Sequence, residues 1–363
     1  MMNFFRSRRL SWGVRVLSVV LLAFAEKGLL PGQVAPPAAQ GDHRITLDVV
    51  VTDKAGTPIR GLTANDFTVL DNKDPQKLLD FRSVEAKGPT ADAVHVVIVV
   101  DMINTGFQVV ARERSQLSAF LKENGGEMPN PTSIAVMAET GLKVARGSSR
   151  DGNALQLAFT KTDSELRSVG RDAGFYGAGE RLDKSLDQLR QLASYEAQQP
   201  GRKMILFLSP GWPLFPMAGD QADLKQRTQV FNELVRFTNG LRESDIALYT
   251  LDPYELGATD PFEYQQFLKP VTQARDAQYG HLGLQVLSVN SGGQVLVSGR
   301  DVTGELNRAI RDGAVSYELS FEAAAGDRAN EHHALQVKVN RPDAVVRTTK
   351  GYYAQSPVPA ESH

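Results

Sequence analysis

The sequence predicts an α/β fold: a doubly wound, mainly parallel sheet, with a β-sandwich formed by the flanking N- and C-terminal segments. Several short runs consist mostly of Val, Ile and Leu without alternation, which is typical of strands buried on both faces. Stretches with helical spacing separate these runs, as in βαβ units. Alternating strand patterns occur at both chain ends, and each end is too small to close a core alone, so we expect the two ends to pair.

The predicted central strand, Val94 to Val100, ends abruptly in polar residues. Asp101, Asn104 and Thr105 follow it directly. Because open α/β sheets bind ligands beyond the carboxyl ends of their strands, these three residues are the first candidates for ligand contacts. The alternative is structural: Asp101 caps the following helix and Thr105 supports the turn.

The composition is that of a soluble globular protein with a large core. The chain has 363 residues, of which 42% are hydrophobic and 23% charged. A formal net charge of -2 and the lack of a basic arm argue against a nucleic-acid partner. The absence of cysteine excludes disulfides, thiolate metal sites and cysteine nucleophiles.

Residues 1–25 predict a secretory signal peptide. Arginines precede the apolar run Val16–Leu22, and Ala23-Phe24-Ala25 offers small residues for cleavage. An uncleaved anchor is the alternative, although the run is short for a span of about 20 residues. We therefore expect an exported protein, periplasmic or extracellular, that meets the membrane only through this segment if it is uncleaved. Residues 26–43, rich in Pro, Ala and Gln, predict a disordered linker.

The flanking β segments are predicted at residues 44–88 and 313–354. In the first, Ile45–Thr52 is a strand, and Phe67–Leu70 forms a hairpin with Lys77–Val84. In the second, the strand patterns are Val315–Phe321, Ala334–Val339 and Val345–Thr348. His332 and His333 are expected in a solvated turn, and adjacent histidines point apart, so no shared metal is expected. Residues 355–363 predict a disordered tail.

Residues 89–312 carry the α/β pattern. The predicted elements are a helix over Val109–Leu121, a hairpin around Glu139-Thr140-Gly141, a helix over Leu182–Tyr195, a strand over Lys203–Leu208, a helix over Asp220–Leu241, a strand over Ile246–Leu251, a strand over Val295–Val297 and a helix over Asp301–Arg311.

The order of these elements, with several landmarks, resembles a von Willebrand factor type A (VWFA) domain, specifically the bacterial VWFA-related group of acidobacterial secreted proteins. The landmarks are Ile45–Asp53, Gly61–Phe67, Val100–Thr105, Leu248–Asp252, Ser291-Gly292-Gly293, Ser316–Phe321 and Lys350–Ala354. The resemblance implies a binding module, not an enzyme. Its expected partner is a protein or a cell-envelope component.

The family's metal-ion-dependent adhesion site is degenerate in this chain. That site uses Asp-x-Ser-x-Ser, a Thr from a later loop and a second Asp to hold Mg²⁺ or a similar cation. Asp101 and Thr105 match, but Ile103 offers no oxygen. The later loop, Gly177–Glu180, offers only Glu180, and Ser209 follows the strand where the second Asp is expected. We expect no required cofactor and only weak binding of a divalent cation.

An enzymatic alternative comes from three residues that follow consecutive apolar segments. Ser209, Asp252 and His281 occur in the chain order of the α/β-hydrolase triad. Against this reading, Pro210 follows Ser209, so the backbone N–H that would help to form an oxyanion hole is missing.

The partner is expected at the end of the sheet where Asp101–Phe107, Gly177–Glu180, Ser209–Phe215 and Asp252–Tyr254 meet. Three aromatic residues of types common among interface anchors are the expected contacts: Trp212, Phe215 and Tyr254.

Overall fold

The computed structural model describes residues 44–85, 94–144, 147–164, 175–212, 222–254, 263–297, 299–324 and 326–355. The predicted signal peptide, the linker and residues 356–363 of the predicted tail lie outside the described residues. Among the described helices, none combines the length and the apolar character that spanning a bilayer requires.

The described residues form fifteen strands and six α-helices. The strands are β1 Arg44–Thr52, β2 Phe67–Asp71, β3 Asp74–Gln76, β4 Leu78–Glu85, β5 His95–Asp101, β6 Glu127–Ala138, β7 Gly141–Val144, β8 Ser149–Asp151, β9 Lys203–Leu208, β10 Ile246–Asp252, β11 Val295–Val297, β12 Val315–Glu322, β13 Glu331–Val339, β14 Val345–Arg347 and β15 Gly351–Ala354. The helices are α1 Phe107–Lys122, α2 Gly152–Ser164, α3 Phe175–Glu196, α4 Leu224–Glu243, α5 Leu284–Asn290 and α6 Val302–Asp312.

The central sheet has the strand order β11-β10-β9-β5-β6-β7, and β8 also pairs with β6. The strands from β11 to β6 are parallel, whereas β7 and β8 run antiparallel to β6. The predicted doubly wound sheet is therefore confirmed, with β5 inside it.

Side chains of β5 alternate between two hydrophobic cores, one on each face of the sheet. Val96 and Ile98 belong to the core that includes α1 and α6 residues. Val97 and Val99 belong to the core that includes α3 and α4 residues. All four are fully buried, which explains why the sequence of β5 is an apolar run without alternation.

The two chain ends form a sandwich of two four-stranded sheets, ordered β14-β1-β12-β4 and β15-β13-β2-β3. In the first, β1 from the N-terminal end pairs antiparallel with β12 from the C-terminal end, and Ile45 lies opposite Phe321. In the second, β2 pairs with β13. Leu47, Val69 and Tyr317 share one core between the sheets. The prediction that the ends pair is confirmed.

The predicted hairpin between Phe67–Leu70 and Lys77–Val84 is wrong. The partner of β2 in the hairpin is β3, because Asn72 and Lys73 adopt positive φ angles of 49° and 79° and close a two-residue turn. Pro75 lacks an N–H group and lies in this edge strand. The next strand, β4, crosses to the other sheet and pairs with β12.

The sequence pattern also misplaced the paired histidines. His332 and His333 lie within β13, not in a turn. His333 is 6% exposed, and its Nδ1 lies 2.9 Å from a carboxylate oxygen of Asp71 in the neighbouring strand β2. Side chains alternate along β13, so His332 faces the other side.

A buried carboxylate at the end of α6 joins the α/β domain to the sandwich. Asp312 accepts hydrogen bonds from the Tyr249 hydroxyl (2.8 Å) and from Gln294 Nε2 (3.0 Å). It also forms an ion pair with Arg347 of β14. A second ion pair joins Arg202, next to β9, to Asp48 of β1.

We expect Asp312→Ala to lower the free energy of unfolding by about 3–5 kcal/mol, because removing one partner of a buried ion pair leaves the other charge uncompensated. Chemical denaturation measures the change. The exposed Asp327→Ala is the control, expected within about 0.5 kcal/mol of wild type. Equal losses for the two variants would show that this contact does not hold the domains together.

Candidate functional site

The site begins with Asp101, the last residue of β5, which is fully buried. Its Oδ1 accepts hydrogen bonds from the backbone N–H groups of Ile103 (2.9 Å) and Asn104 (3.0 Å). Its Oδ2 accepts from Asn104 Nδ2 (2.8 Å) and from the Ser209 hydroxyl (2.7 Å). Burial raises the pKa of Asp101, and the hydrogen bonds from Asn104, Ser209 and Ile103 oppose that rise.

Ser209 fixes the turn after β9. Besides donating to Asp101, its hydroxyl oxygen accepts a hydrogen bond from the Gly211 N–H (2.9 Å). Gly211 has φ +86°, and a Cβ there would lie 2.5 Å from the Gln285 side chain, so the turn requires glycine. Gln285 Nε2 in turn donates to the Pro210 carbonyl (2.7 Å).

Asn104 connects the Asp101 loop to α3. Its Nδ2 donates to the Ser185 hydroxyl (3.0 Å) as well as to Asp101. Its Oδ1 is buried without a hydrogen-bond partner, and so is the Thr105 hydroxyl. The predicted cluster of Asp101, Asn104 and Thr105 therefore exists, but its carboxylate is used to hold the loop.

The donor set does not fit the Mg²⁺ that the family resemblance implies. A hard cation needs several oxygens, preferably charged ones. Here both oxygens of Asp101 already accept two hydrogen bonds each, and Ile103 has no oxygen to offer. The other side-chain oxygens of this loop, on Asn104 and Thr105, are neutral. Within the described part of the chain, no group of three His, Asp or Glu side chains could hold a metal ion.

The segment predicted to be a metal-binding loop is helical. Gly177–Glu180 belongs to α3, which begins at Phe175. Glu180 is solvent-exposed and forms an i,i+4 ion pair with Lys184 (2.7 Å), which lowers the pKa of Glu180. Lys184 also pairs with Glu139 (2.5 Å). Glu180 is therefore an exposed, ion-paired residue on the surface of α3, which corrects the expectation that it replaces a metal ligand.

The loop after β10 lies against the loop after β5. Asp252 Oδ1 accepts a hydrogen bond from the Tyr254 N–H (2.9 Å), and burial raises the pKa of Asp252. The Tyr254 hydroxyl accepts from the Gly106 N–H (3.1 Å). Arg112 donates to the Pro253 carbonyl (2.7 Å). Together with the contact between Ser209 and Asp101, these bonds bring three of the predicted segments together.

Trp212 lies in the core and not on an exposed loop. Its side chain is 5% exposed, its Nε1 donates to the Leu282 carbonyl (2.9 Å), and its ring packs edge-on against Phe207. It therefore offers a partner almost no surface, which corrects the expectation of a contact residue. Phe215 lies outside the described residues.

Other apolar side chains are exposed at this end of the sheet. Phe107, the first residue of α1, is 68% exposed, Tyr254 is 38% exposed and Val297, the last residue of β11, is 50% exposed. We call the surface formed by Asp101–Phe107, Asp252–Tyr254 and Val297 the carboxyl-end face. Phe107 ends a segment that was predicted to form this face, but its own exposure was not predicted.

The hydrolase triad is not assembled. The Ser209 hydroxyl is fully buried and bonded to Asp101 and Gly211. The His281 Nδ1 lies within 3.2 Å of the backbone of Gln278. No hydrogen bond among the described residues joins Ser209, Asp252 and His281 to one another.

One buried acid beside the site was not predicted from the sequence. Glu113 lies on the inner face of α1 between Val110 and Leu117, is fully buried, and has no hydrogen-bond partner for either carboxylate oxygen. Burial, with the nearby charges of Asp101 and Asp252, raises the pKa of Glu113 to about 9. The sequence does indicate a buried acid here, because Glu113 occupies a position in the apolar stripe of α1.

Comparisons with known proteins give low-identity overlaps. No protein-family model and no curated protein matches the chain. A solved VWA domain of SpRpn10 is 14% identical, with a TM-score of 0.30, over 56% of this chain and 87% of that chain. The pilus adhesin SpaC from Lactobacillus rhamnosus GG is 10% identical, with a TM-score of 0.35, over 82% of this chain and 49% of that chain. The human COPII-coat protein Sec24c is 9% identical, with a TM-score of 0.28, over 76% of this chain and 46% of that chain. Overlaps at this level do not bear on what the chain does.

We expect Glu113→Gln to remove a pH dependence of stability. The folded pKa of about 9 lies above the ordinary value of 4.5, so between these values the folded state keeps a proton that the unfolded state has lost. Stability of the wild type therefore falls as pH rises through this window, by up to about 1.4 kcal/mol per pH unit. Denaturation of both proteins from pH 5 to pH 9, at unit steps, measures the slopes.

The control for this experiment is Glu127→Gln, on an exposed side chain of β6. Its stability curve should run parallel to that of wild type. The free energy of unfolding of Glu113→Gln, relative to that of wild type, should increase as pH rises. Parallel curves for Glu113→Gln would mean that the folded protein does not keep this acid protonated.

We expect a serine-directed fluorophosphonate probe to leave Ser209 unlabelled in the folded protein, because the hydroxyl is buried and donates to Asp101. Mass spectrometry of probe-treated protein measures the modification. Exposed Ser194 in α3 serves as the background position. Labelling of Ser209 above that background, lost in Ser209→Ala, would restore the hydrolase alternative.

Proposed function

We propose that this chain is an exported binding module that engages a protein or a cell-envelope component at the carboxyl-end face, without catalysis and without a required metal. The observation that carries the proposal is the exposure of Phe107, Tyr254 and Val297 at one end of the sheet. Aromatic residues are over-represented among interface anchors, and apolar surface gains free energy when a partner covers it.

The polar groups beneath these side chains support the same proposal. The Asp101 carboxylate and the Ser209 turn hold the loops on either side through hydrogen bonds of 2.7–3.0 Å. The Tyr254 hydroxyl is bonded to Gly106 next to Phe107. A surface held in one conformation loses little conformational entropy on binding, which favours affinity.

The sandwich is attached at the end of the sheet opposite the carboxyl-end face. The chain enters the α/β domain at the start of β5 and leaves it at the end of α6, both on the side of the amino ends of the strands. The ion pairs of Asp312 with Arg347 and of Arg202 with Asp48 lie on that side too. Among the described residues, those of the sandwich therefore do not cover the opposite, carboxyl ends of the strands.

The metal-free part of the proposal rests on the donor set. Both oxygens of Asp101 accept hydrogen bonds, and Glu180 is paired with Lys184. The nearby Glu113 has unpartnered oxygens, but it belongs to no group of three His, Asp or Glu side chains that could hold a metal ion among the described residues. An interface built on apolar burial needs no bridging cation, whereas a metal-bridged one needs carboxylates that remain available to the ion.

The test is quantitative capture from the cell-envelope fraction of the source organism. We expect the double variant Phe107→Ala/Tyr254→Ala to weaken retention of the partner by about 2 kcal/mol or more, roughly 30-fold, on the scale of interface hot spots. A photo-crosslinking amino acid at position 107 should attach to the same partner. EDTA should leave retention unchanged.

Leu79→Ala is the matched control, since Leu79 is an exposed apolar residue (52%) on β4 of the sandwich. It should retain the partner as wild type does, and a crosslinker at position 79 should not capture it. Loss of binding with EDTA, with no effect of the double variant, would return Asp101 and Thr105 to the role of metal ligands.

A further inference from the structure

The longest outer strand of the three sheets is β4, which has eight residues. The other outer strands of these sheets, β3, β7, β11, β14 and β15, have three or four residues each. Within the described part of the chain, β4 pairs with β12 alone, so one edge of its backbone faces away from the sheet. Proteins usually shorten such an edge or interrupt it with proline, because an open edge can pair with another chain. β4 is long and contains no proline.

Apolar side chains lie along the same edge strand. Leu79 is 52% exposed and lies at a bulge, since Ser320 of β12 is opposite Asp80 whereas Phe321 is opposite Leu78. Phe81 is half-buried and stacks on Tyr317 of β12, with 6.0 Å between ring centroids. A long edge strand with exposed apolar side chains is the kind of surface on which a further strand adds.

Two opposite charges flank Phe81. The side chains of Asp80 and Arg82 are 64% and 50% exposed, and alternation along the strand places both on one face. Asp80 forms an ion pair with Arg44 (3.2 Å) and accepts a hydrogen bond from the Phe81 N–H (2.9 Å). Arg82 forms an ion pair with Glu318 (2.5 Å). A carboxylate has about four acceptor sites and a guanidinium has five N–H donors, so groups of these kinds can join more than one ion pair.

The sequence of β4 is self-complementary in charge. When two copies of β4 pair antiparallel about a two-fold axis at Phe81, Asp80 of each copy lies opposite Arg82 of the other. The resulting row of charges alternates in sign: Arg44 and Asp80 of one copy, then Arg82 and Glu318 of the second copy. An axis at Asp80 or at Arg82 would place like charges opposite each other, which is destabilising. Charge complementarity therefore favours the axis at Phe81.

We propose that this chain forms a symmetric dimer in which β4 pairs with β4 of a second copy. The pairing joins two four-stranded sheets into one continuous sheet across the two-fold axis. Such an interface is isologous, because the same strand contributes from both copies, and this is the commonest symmetry among homo-oligomers. No residue of the carboxyl-end face belongs to β4, so the dimer does not depend on the proposed function.

The test is the oligomeric state of the full chain, measured by analytical ultracentrifugation over a concentration series. The variants Asp80→Arg and Arg82→Asp each place like charges opposite each other at both pairs. Each variant alone should therefore weaken dimerisation about tenfold or more. An equimolar mixture of the two variants brings opposite charges together again at both pairs, so the mixture should form a heterodimer about as tightly as wild type dimerises.

Lys338→Glu is the matched control, since it reverses an exposed charge on β13, a strand of the other sheet of the sandwich. It should dimerise as wild type does. Hydrogen–deuterium exchange of the wild type is a second measurement that needs no variant. Protection of the amides of residues 78–85 should increase with protein concentration.

Four results would overturn the dimer. The first is a wild-type chain that stays monomeric throughout the series, which is also the result expected when β4 pairs only with a strand of another protein. The second is single variants that dimerise as wild type does, and the third is a mixture that stays monomeric although circular dichroism shows both variants folded. The fourth is concentration-dependent protection at another surface in place of β4.

Discussion

The conformation at the end of the central strand depends on one requirement, that the buried carboxylate of Asp101 be hydrogen-bonded. A carboxylate without donors in the protein interior is strongly destabilising. Asp101 ends β5, and its donors come from the loop that follows, at Ile103 and Asn104, and from Ser209 at the neighbouring strand end. The tight loop through Ile103 and Asn104, the contact of Asn104 with α3 and the turn at Ser209 all follow from that requirement.

A second buried carboxylate organises the other end of the sheet. Asp312 accepts hydrogen bonds from Tyr249 and Gln294 and forms an ion pair with Arg347. These contacts connect β10 and the loop before β11 to the sandwich. The two carboxylates stabilise opposite ends of the central sheet. Asp101 fixes the loops at the carboxyl ends of the strands, and Asp312 fixes the contact with the sandwich. Glu113 lies close enough to Asp101 to feel its charge and has no donor, so it is accommodated as the neutral acid.

The sequence was most informative where burial on both faces dictates composition. The apolar runs of β5, β9 and β10 and the pairing of the chain ends could be predicted because hydrophobic pattern reports burial directly. Trp212 could not be placed, since only the fold brings Leu282 and Phe207 to it. Gly177–Glu180 was predicted as a loop because its glycines disfavour a helix, although it belongs to α3. The pairing of β4 was predicted wrongly because a two-residue turn pairs β2 with β3, which is nearer in sequence. Asp101 and Ser209 were both predicted as site residues, but the hydrogen bond between them could not be predicted from sequence spacing.

The position of β1 has a consequence for how the protein folds. Thr46 contacts Ser320, a residue 274 positions further along the chain. During synthesis β1 is complete long before its partners β12 and β14 exist, so it has no strand partner while the whole insert is made. Pairing across such a separation is slow, and unpaired apolar strands are prone to aggregate. Folding of the insert brings its two ends together and shortens the effective loop that the late strands must close. We therefore expect the sandwich to complete its sheets after the α/β domain has folded.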